Sequence, residues 1–126
     1  MATAIYYESR SEPLKGQVAV GTVIMNRVRS PTYPSTVCEV VHQGGVRFAE
    51  CQFSYHCDSK HERPANKDAW YLALDISVSV LEGARVVELE DCLWYHRTDI
   101  IGNVSWSANM RRVDIGDHSF FIDDYA

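Results

Sequence analysis

No stretch of this chain approaches the ~20 consecutive apolar residues that a membrane-spanning helix needs. The longest apolar-leaning run, Gln17 to Met25, is broken by Gly21 and Thr22. The N-terminus, Met-Ala-Thr-Ala-Ile-Tyr-Tyr-Glu, lacks the basic and apolar regions of a secretory signal. Synthesis in the cytoplasm without a signal peptide is therefore expected. No G-x-G-x-x-G turn, Walker A loop or G-x-S-x-G elbow is present, so the usual dinucleotide, phosphate and serine-hydrolase signatures are missing. Cation-rich character is missing too: 12 Lys and Arg face 17 Asp and Glu, a formal charge of −5. That balance disfavours nucleic acid as a partner, since phosphate backbones select basic surfaces.

What remains is an ordinary globular composition, 46% hydrophobic over 126 residues. The length fits a single domain over 1–126, large enough to bury a core. Four cysteines (Cys38, Cys51, Cys57 and Cys92) leave three options open. They are free or buried thiols, a disulfide within Cys38, Cys51 and Cys57, or a zinc site from Cys51, His56, Cys57 and His61. The last set lacks the paired C-x2-C spacing of structural zinc, and no metal or cofactor is expected.

The pattern along the chain is mainly helical. A short helix is expected over Ala2 to Ser9. Pro13 then suits the first turn of a second helix, Leu14 to Arg29. That helix is apolar on most sides (Leu14, Val18, Met25 and Val28 among others), which marks a buried central element. Lys15, Asn26, Arg27 and Arg29 are its expected polar edge. A third helix is expected over Thr36 to His42, ended by Gly44-Gly45. Asn66 to Glu82 forms the fourth, with Trp70, Leu74, Ser77, Val78 and Leu81 on its inner face and Gly83 as its stop. Val46 to Ser59 and Asn103 to Ser107 read as loop and short extended pieces. Cys92 to His96 and Ser119 to Ile122 read as strands. The class is α+β, mainly helical with a small late β element.

Glu8 sits among aromatic side chains in Ile5-Tyr6-Tyr7-Glu8-Ser9-Arg10. A carboxyl group against rings loses solvation and its pKa rises, as a general acid near neutral pH requires. The plain alternative is a surface Glu paired with Arg10 or Lys15. Glu12, four residues on, reads as a helix-start residue favoured by the dipole. Aromatic and polar side chains are interleaved in Gln52-Phe53-Ser54-Tyr55, Trp94-Tyr95-His96 and at Trp106. Such mixtures hold sugars, whose C–H faces are apolar while their hydroxyls need partners. The plain alternative is that these rings are core.

Several motifs in order carry a resemblance. The run Ala4-Ile5-Tyr6-Tyr7-Glu8-Ser9-Arg10-Ser11-Glu12-Pro13-Leu14-Lys15-Gly16-Gln17-Val18-Ala19-Val20 resembles the opening of the SleB/CwlJ-type cell wall hydrolases, with its E-A-R-G-E-P pattern. Val23 to Val28, Ser30 to Pro34, Val37 to Val41, Cys51 to Ser54, Trp94 to His96, Ser105 to Ser107 and Arg112 to His118 extend the similarity over nearly the whole chain. The resemblance implies a lysozyme-like, peptidoglycan-cleaving domain related to lytic transglycosylases. It places the catalytic acid at Glu8 and substrate contacts at Gln52, Ser54, Tyr95 and His96. It leaves Glu12 as a further substrate-side residue; a plain hydrolase would need a second carboxylate, for which Glu12 is the nearest candidate in sequence and Asp58 another. The implied partner is the peptidoglycan glycan strand, met at the bacterial cell wall by a monomer. Release in the manner of a phage lysis enzyme, or an export segment outside this sequence, would bring it there. An amidase or peptidase acting on the stem peptide, and a non-catalytic wall-binding module, are the competing readings. Ser9 and Ser11 depart from the Ala and Gly of the pattern. Ser11 would be strained if that position needed positive φ.

Overall fold

A computed structural model of the chain describes residues 1–43, 64–99 and 109–124. Among these residues four helices, α1 (Ala2–Ser9), α2 (Leu14–Arg29), α3 (Val37–Val41) and α4 (Lys67–Leu81), precede a 3₁₀ turn at Val87–Leu89 and three strands. The strands are β1 (Trp94–Arg97), β2 (Arg111–Ile115) and β3 (His118–Ile122). They form one antiparallel sheet of order β1-β3-β2. The expected α+β class is thus the one observed, and α1 and α2 have the expected bounds. The readings for 46–59 and 103–107 fall outside the described residues.

Local chemistry sets the boundaries. Pro13 precedes the first residue of α2. Thr36 and Asn66 cap α3 and α4, accepting from the backbone N–H of Glu39 and Ala69. Gly83 stands at φ 117°, a left-handed conformation just past the end of α4. In the β2–β3 hairpin Ile115 pairs with His118, which leaves a two-residue turn. Gly116 is its first residue, with φ 58°. Among the described residues Asp91 is the sole non-glycine with positive φ. Ser11 therefore fits its turn without left-handed strain.

Helix α2 runs between two cores. Val20 and Ile24 join Ile5, Tyr6, Val40, Ile76 and Val80 in a helical core. Ala19 and Val23 join Val86, Leu89, Cys92, Ile115, Phe120 and Ile122 against the sheet. Asn26 and Arg27, expected at a polar edge, are buried instead. The Asn26 amide donates to the carbonyls of Leu89 and Cys92, and the Arg27 Nε–H to that of Leu93. These side chains satisfy the irregular backbone leading into β1, which has no ladder partner of its own. Leu14, expected inside, is 61% exposed.

The inner face of α4 is also rotated from expectation. Ala73, Ile76, Ser77 and Val80 are buried, whereas Leu74, Val78 and Leu81 are exposed. Small residues explain the rotation, because they let the helix axes approach closely. A Cβ on Gly21 of α2 would stand 2.8 Å from Val80 Cγ2 and 3.2 Å from Cγ1. Gly21→Ala gains about 1 kcal/mol of helix propensity, but overpacking a stiff β-branched neighbour costs about 1–3 kcal/mol. We expect a lower urea midpoint for Gly21→Ala and partial recovery in Gly21→Ala/Val80→Ala, read from equilibrium unfolding curves.

Candidate active site

The last turn of α1 carries Glu8, half-buried where helix meets sheet. The Tyr95 hydroxyl, on β1, donates to Glu8 Oε1 at 2.8 Å. Tyr95 packs against both cores, so its ring is held where they join. Burial pushes the Glu8 carboxyl above its ordinary pKa, opposed by the Tyr95 hydrogen bond and by the positive charge of Arg27. The result is an acid that holds its proton to higher pH than a surface Glu.

The surface alternative for Glu8 finds no support in its expected partners. Lys15 instead pairs with Glu88. The Arg10 guanidinium lies 5.0 Å from the centroid of the Tyr6 ring, as a cation over an aromatic face. Tyr6 is buried, and its hydroxyl accepts from the Asn66 backbone N–H at 3.0 Å. That bond ties α1 to the start of α4 and fixes the helix that presents Glu8. Ser9 is buried with its hydroxyl donating to the Ile5 carbonyl at 2.7 Å, so the departure from Ala costs no unpaired polar group.

Glu12 departs from its expected role at the helix start. Its carboxylate turns away from α2 and reaches the β2–β3 hairpin. The Asp117 backbone N–H donates to its two oxygens at 2.9 and 3.2 Å. His118 Nδ1 lies 2.8 Å from Oε1, with the His and Glu side chains 7% and 5% exposed. Both oxygens are thus engaged inside the protein, which leaves Glu12 poorly placed to hold substrate or activate water. A Cβ on Gly116 would stand 2.5 Å from Glu12 Oε2, so glycine is required there by space as well as by φ.

Of the other expected contacts, Gln52 and Ser54 lie outside the described residues, as do Asp58 and the Cys51, His56, Cys57 and His61 set. His96 lies on the sheet face opposite Tyr95, as alternation along a strand requires. Its ring packs on Phe121 at 4.8 Å, and its Nδ1 is 2.7 Å from the Arg97 carbonyl oxygen. The structure therefore brings Tyr95, and not His96, to Glu8. Cys38 and Cys92 are free thiols, so no disulfide involves Cys38. Among the described residues no three His, Cys, Asp or Glu side chains cluster to hold a metal ion. Two contributors escape a reading of the sequence: Arg27, placed on a polar edge, and His118, counted among scattered histidines.

The chain matches the cell wall hydrolase family model over residues 11–121. It therefore belongs to the cell wall hydrolase family. The spore cortex-lytic enzyme of Bacillus cereus is 56% identical over 43 residues, 34% of this chain and 17% of that protein. The spore cortex-lytic enzyme of Bacillus subtilis is 37% identical over 75 residues, 60% of this chain and 23% of that protein. The chain thus aligns with less than a quarter of these curated relatives. The crystal structure of the catalytic domain of Bacillus cereus SleB superposes with a TM-score of 0.70 at 33% identity, covering 96% of this chain and 85% of that one. The catalytic domain of the germination-specific lytic transglycosylase SleB from Bacillus anthracis gives 0.69 at 33% identity, covering 96% and 89%. The SleB-type resemblance and the lysozyme-like α+β class read from the sequence both hold.

A raised folded-state pKa has a definite sign for stability. Glu8 favours the native state fully below its unfolded pKa, and that contribution is lost as pH rises through the folded pKa. Above the ordinary carboxyl range Glu8 opposes folding, because ionising it costs more in the desolvated native site than in the unfolded chain. Glu8→Gln should therefore raise the Tm at pH 7, with the difference shrinking as pH falls into the ordinary carboxyl range. A Tm series across that range, by calorimetry, checks the trend.

Proposed function

We propose that this domain cleaves the peptidoglycan glycan strand between N-acetylmuramic acid and N-acetylglucosamine as a lytic transglycosylase, with Glu8 as its one acid–base residue. The observation that carries the reading is a desolvated carboxyl group held by the phenol of Tyr95 at the junction of helix and sheet. Family membership supports action on the cell wall, and the similarity to the germination-specific lytic transglycosylase of Bacillus anthracis supports the transglycosylase outcome. A plain hydrolase needs a second carboxylate to activate water or form a covalent intermediate. Glu12, the nearest in sequence, is committed to Asp117 and His118.

Glu8 begins protonated and donates its proton to the glycosidic oxygen as the C1–O bond breaks. Positive charge develops on the muramic acid ring, an oxocarbenium-like transition state, and the sugar's own acetamido oxygen stabilises C1. The Glu8 carboxylate then accepts the proton of the 6-hydroxyl, whose oxygen bonds to C1. The product is a 1,6-anhydro sugar, and Glu8 is again protonated with no water consumed. Tyr95 serves both stages. Its hydroxyl donates to the carboxylate, which keeps the raised pKa within reach of loss as well as gain of the proton. The pH–rate profile of the cleavage step should fall on its alkaline side as Glu8 loses its proton.

Digestion of purified peptidoglycan followed by mass spectrometry tests the proposal. Anhydro-muropeptides are expected, and Glu8→Gln should lower their formation by at least about 10²-fold while the fold is retained. Reducing-end muropeptides would replace the transglycosylase with a hydrolase. Free stem peptides whose release is blocked by a chelator would replace it with a zinc amidase. Binding without cleavage would leave a wall-binding module.

A further inference from the structure

The phenol that reaches Glu8 is itself set by two rings of β3. In the register of the sheet Tyr95 faces Phe120 and Arg97 faces His118. His118 is thus the diagonal neighbour of Tyr95 on the same face, within reach of an aromatic side chain. Phe120 stacks on Tyr95 at 5.3 Å and 28°, while His118 meets it edge-on at 5.3 Å and 86°. The two contacts restrict the phenol in different directions. Phe120 is anchored by full burial in the sheet core. His118 is anchored by Glu12, which is fastened in turn to the hairpin backbone at Asp117.

We propose that the buried Glu12–His118 pair is a positioning device for the catalytic centre, setting the Tyr95 ring and through it the Glu8 carboxyl. It deepens the reading of Glu8 as the acid and rests on it for its functional meaning. The chain of contacts runs Glu12, His118, Tyr95, Glu8, and it closes on itself because the two Glu residues are four positions apart on one segment. The cost of the pair argues for a role beyond stability. Two ionisable groups taken out of water return little net stabilisation, and a buried pair of this kind is often matched by apolar replacements. The other charges bearing on His118 are Arg97 on β1, Asp99 just beyond it and Asp117 in the turn. Burial holds the imidazole below its ordinary pKa, against the pull of Glu12.

A positioning role and a merely structural one differ in what they do to Glu8. The full chain, with its Glu side chains labelled at the carboxyl carbon with ¹³C, allows the Glu8 titration to be followed by NMR without substrate. Tyr95→Phe removes the donor to the carboxylate and should raise the Glu8 midpoint. His118→Ala should raise it in the same direction, and Tyr95→Phe/His118→Ala should match Tyr95→Phe alone, the non-additivity of residues acting in series. His118→Gln retains an amide for Glu12 but lacks the ring edge, so it should fold and still raise the midpoint. A loss of stability in both His118 variants with Glu8 titrating as before would overturn the proposal. So would an equal His118→Ala shift with and without the Tyr95 hydroxyl, since that is the mark of direct charge. In the pH–rate profile the alkaline limb should move with the Glu8 midpoint. If Glu8→Gln retains cleavage, the acid assignment fails on its own, while the titration cycle still reports whether the coupling exists.

Discussion

The burial of β3 is the constraint on which the rest of the molecule depends. All five of its residues are buried, and it pairs with a neighbour on each side. One of its faces supplies Phe120 and His118 to Tyr95, while its far end adds Ile122 to the sheet core beside α2. A strand so enclosed has no freedom to slip, because a shift of one residue would reverse every side chain. Helix α1 is short and would not be stable alone. It gains its position from the helical core and from two carboxylates that reach the sheet, Glu8 at Tyr95 and Glu12 at the hairpin.

Carboxylates in this fold meet three distinct fates. Glu8 is desolvated beside the Tyr95 hydroxyl, and its carboxyl is held above the ordinary pKa. Glu12 is desolvated between the Asp117 backbone N–H and the His118 ring and is held as an anchor. Asp114 and Asp124 pair with Arg112 and Arg111 at the surface, where each side chain is about half exposed. Exposed pairs of that kind contribute little to stability. The proposed chemistry and the architecture therefore rest on the two buried groups, while the surplus of acidic charge is carried by solvated ones. A net −5 offers no long-range pull toward an anionic wall. Affinity for a glycan would have to come from short-range contacts near Glu8.

Much of the fold was legible because its boundaries are written in single residues. Pro13, Thr36, Asn66 and Gly83 mark ends that propensity alone would blur. The inner face of α4 was misread since hydrophobicity pointed to Leu74, Val78 and Leu81. Close packing through Gly21 and Ala73 rewards small residues instead, and that preference depends on a neighbouring helix. The desolvation of Glu8 was expected from Tyr6 and Tyr7 beside it in sequence, yet its donor among the described residues, Tyr95, comes from 87 positions away. An aromatic, polar motif singles out Tyr95, and His96 with it. Strand alternation separates the two, and a motif read as a string does not show faces. The role of Glu12 was beyond reach, because its partner Asp117 is 105 positions distant and only the hairpin turn brings it near.

The thiol of Cys92 joins the same strands in a quieter way. It is fully buried, and it donates toward the carbonyl oxygens of Trp94 and Phe121, one on β1 and one on β3. Burial pushes it up to about 11, so almost none is thiolate at neutral pH. A sulfur in that state is shielded from oxidants and from disulfide exchange, and the folded domain can meet an oxidising exterior without losing it. Its reactivity returns only when β1 and β3 part. Cys92 is thereby a chemical clock for the opening of the sheet that holds Tyr95.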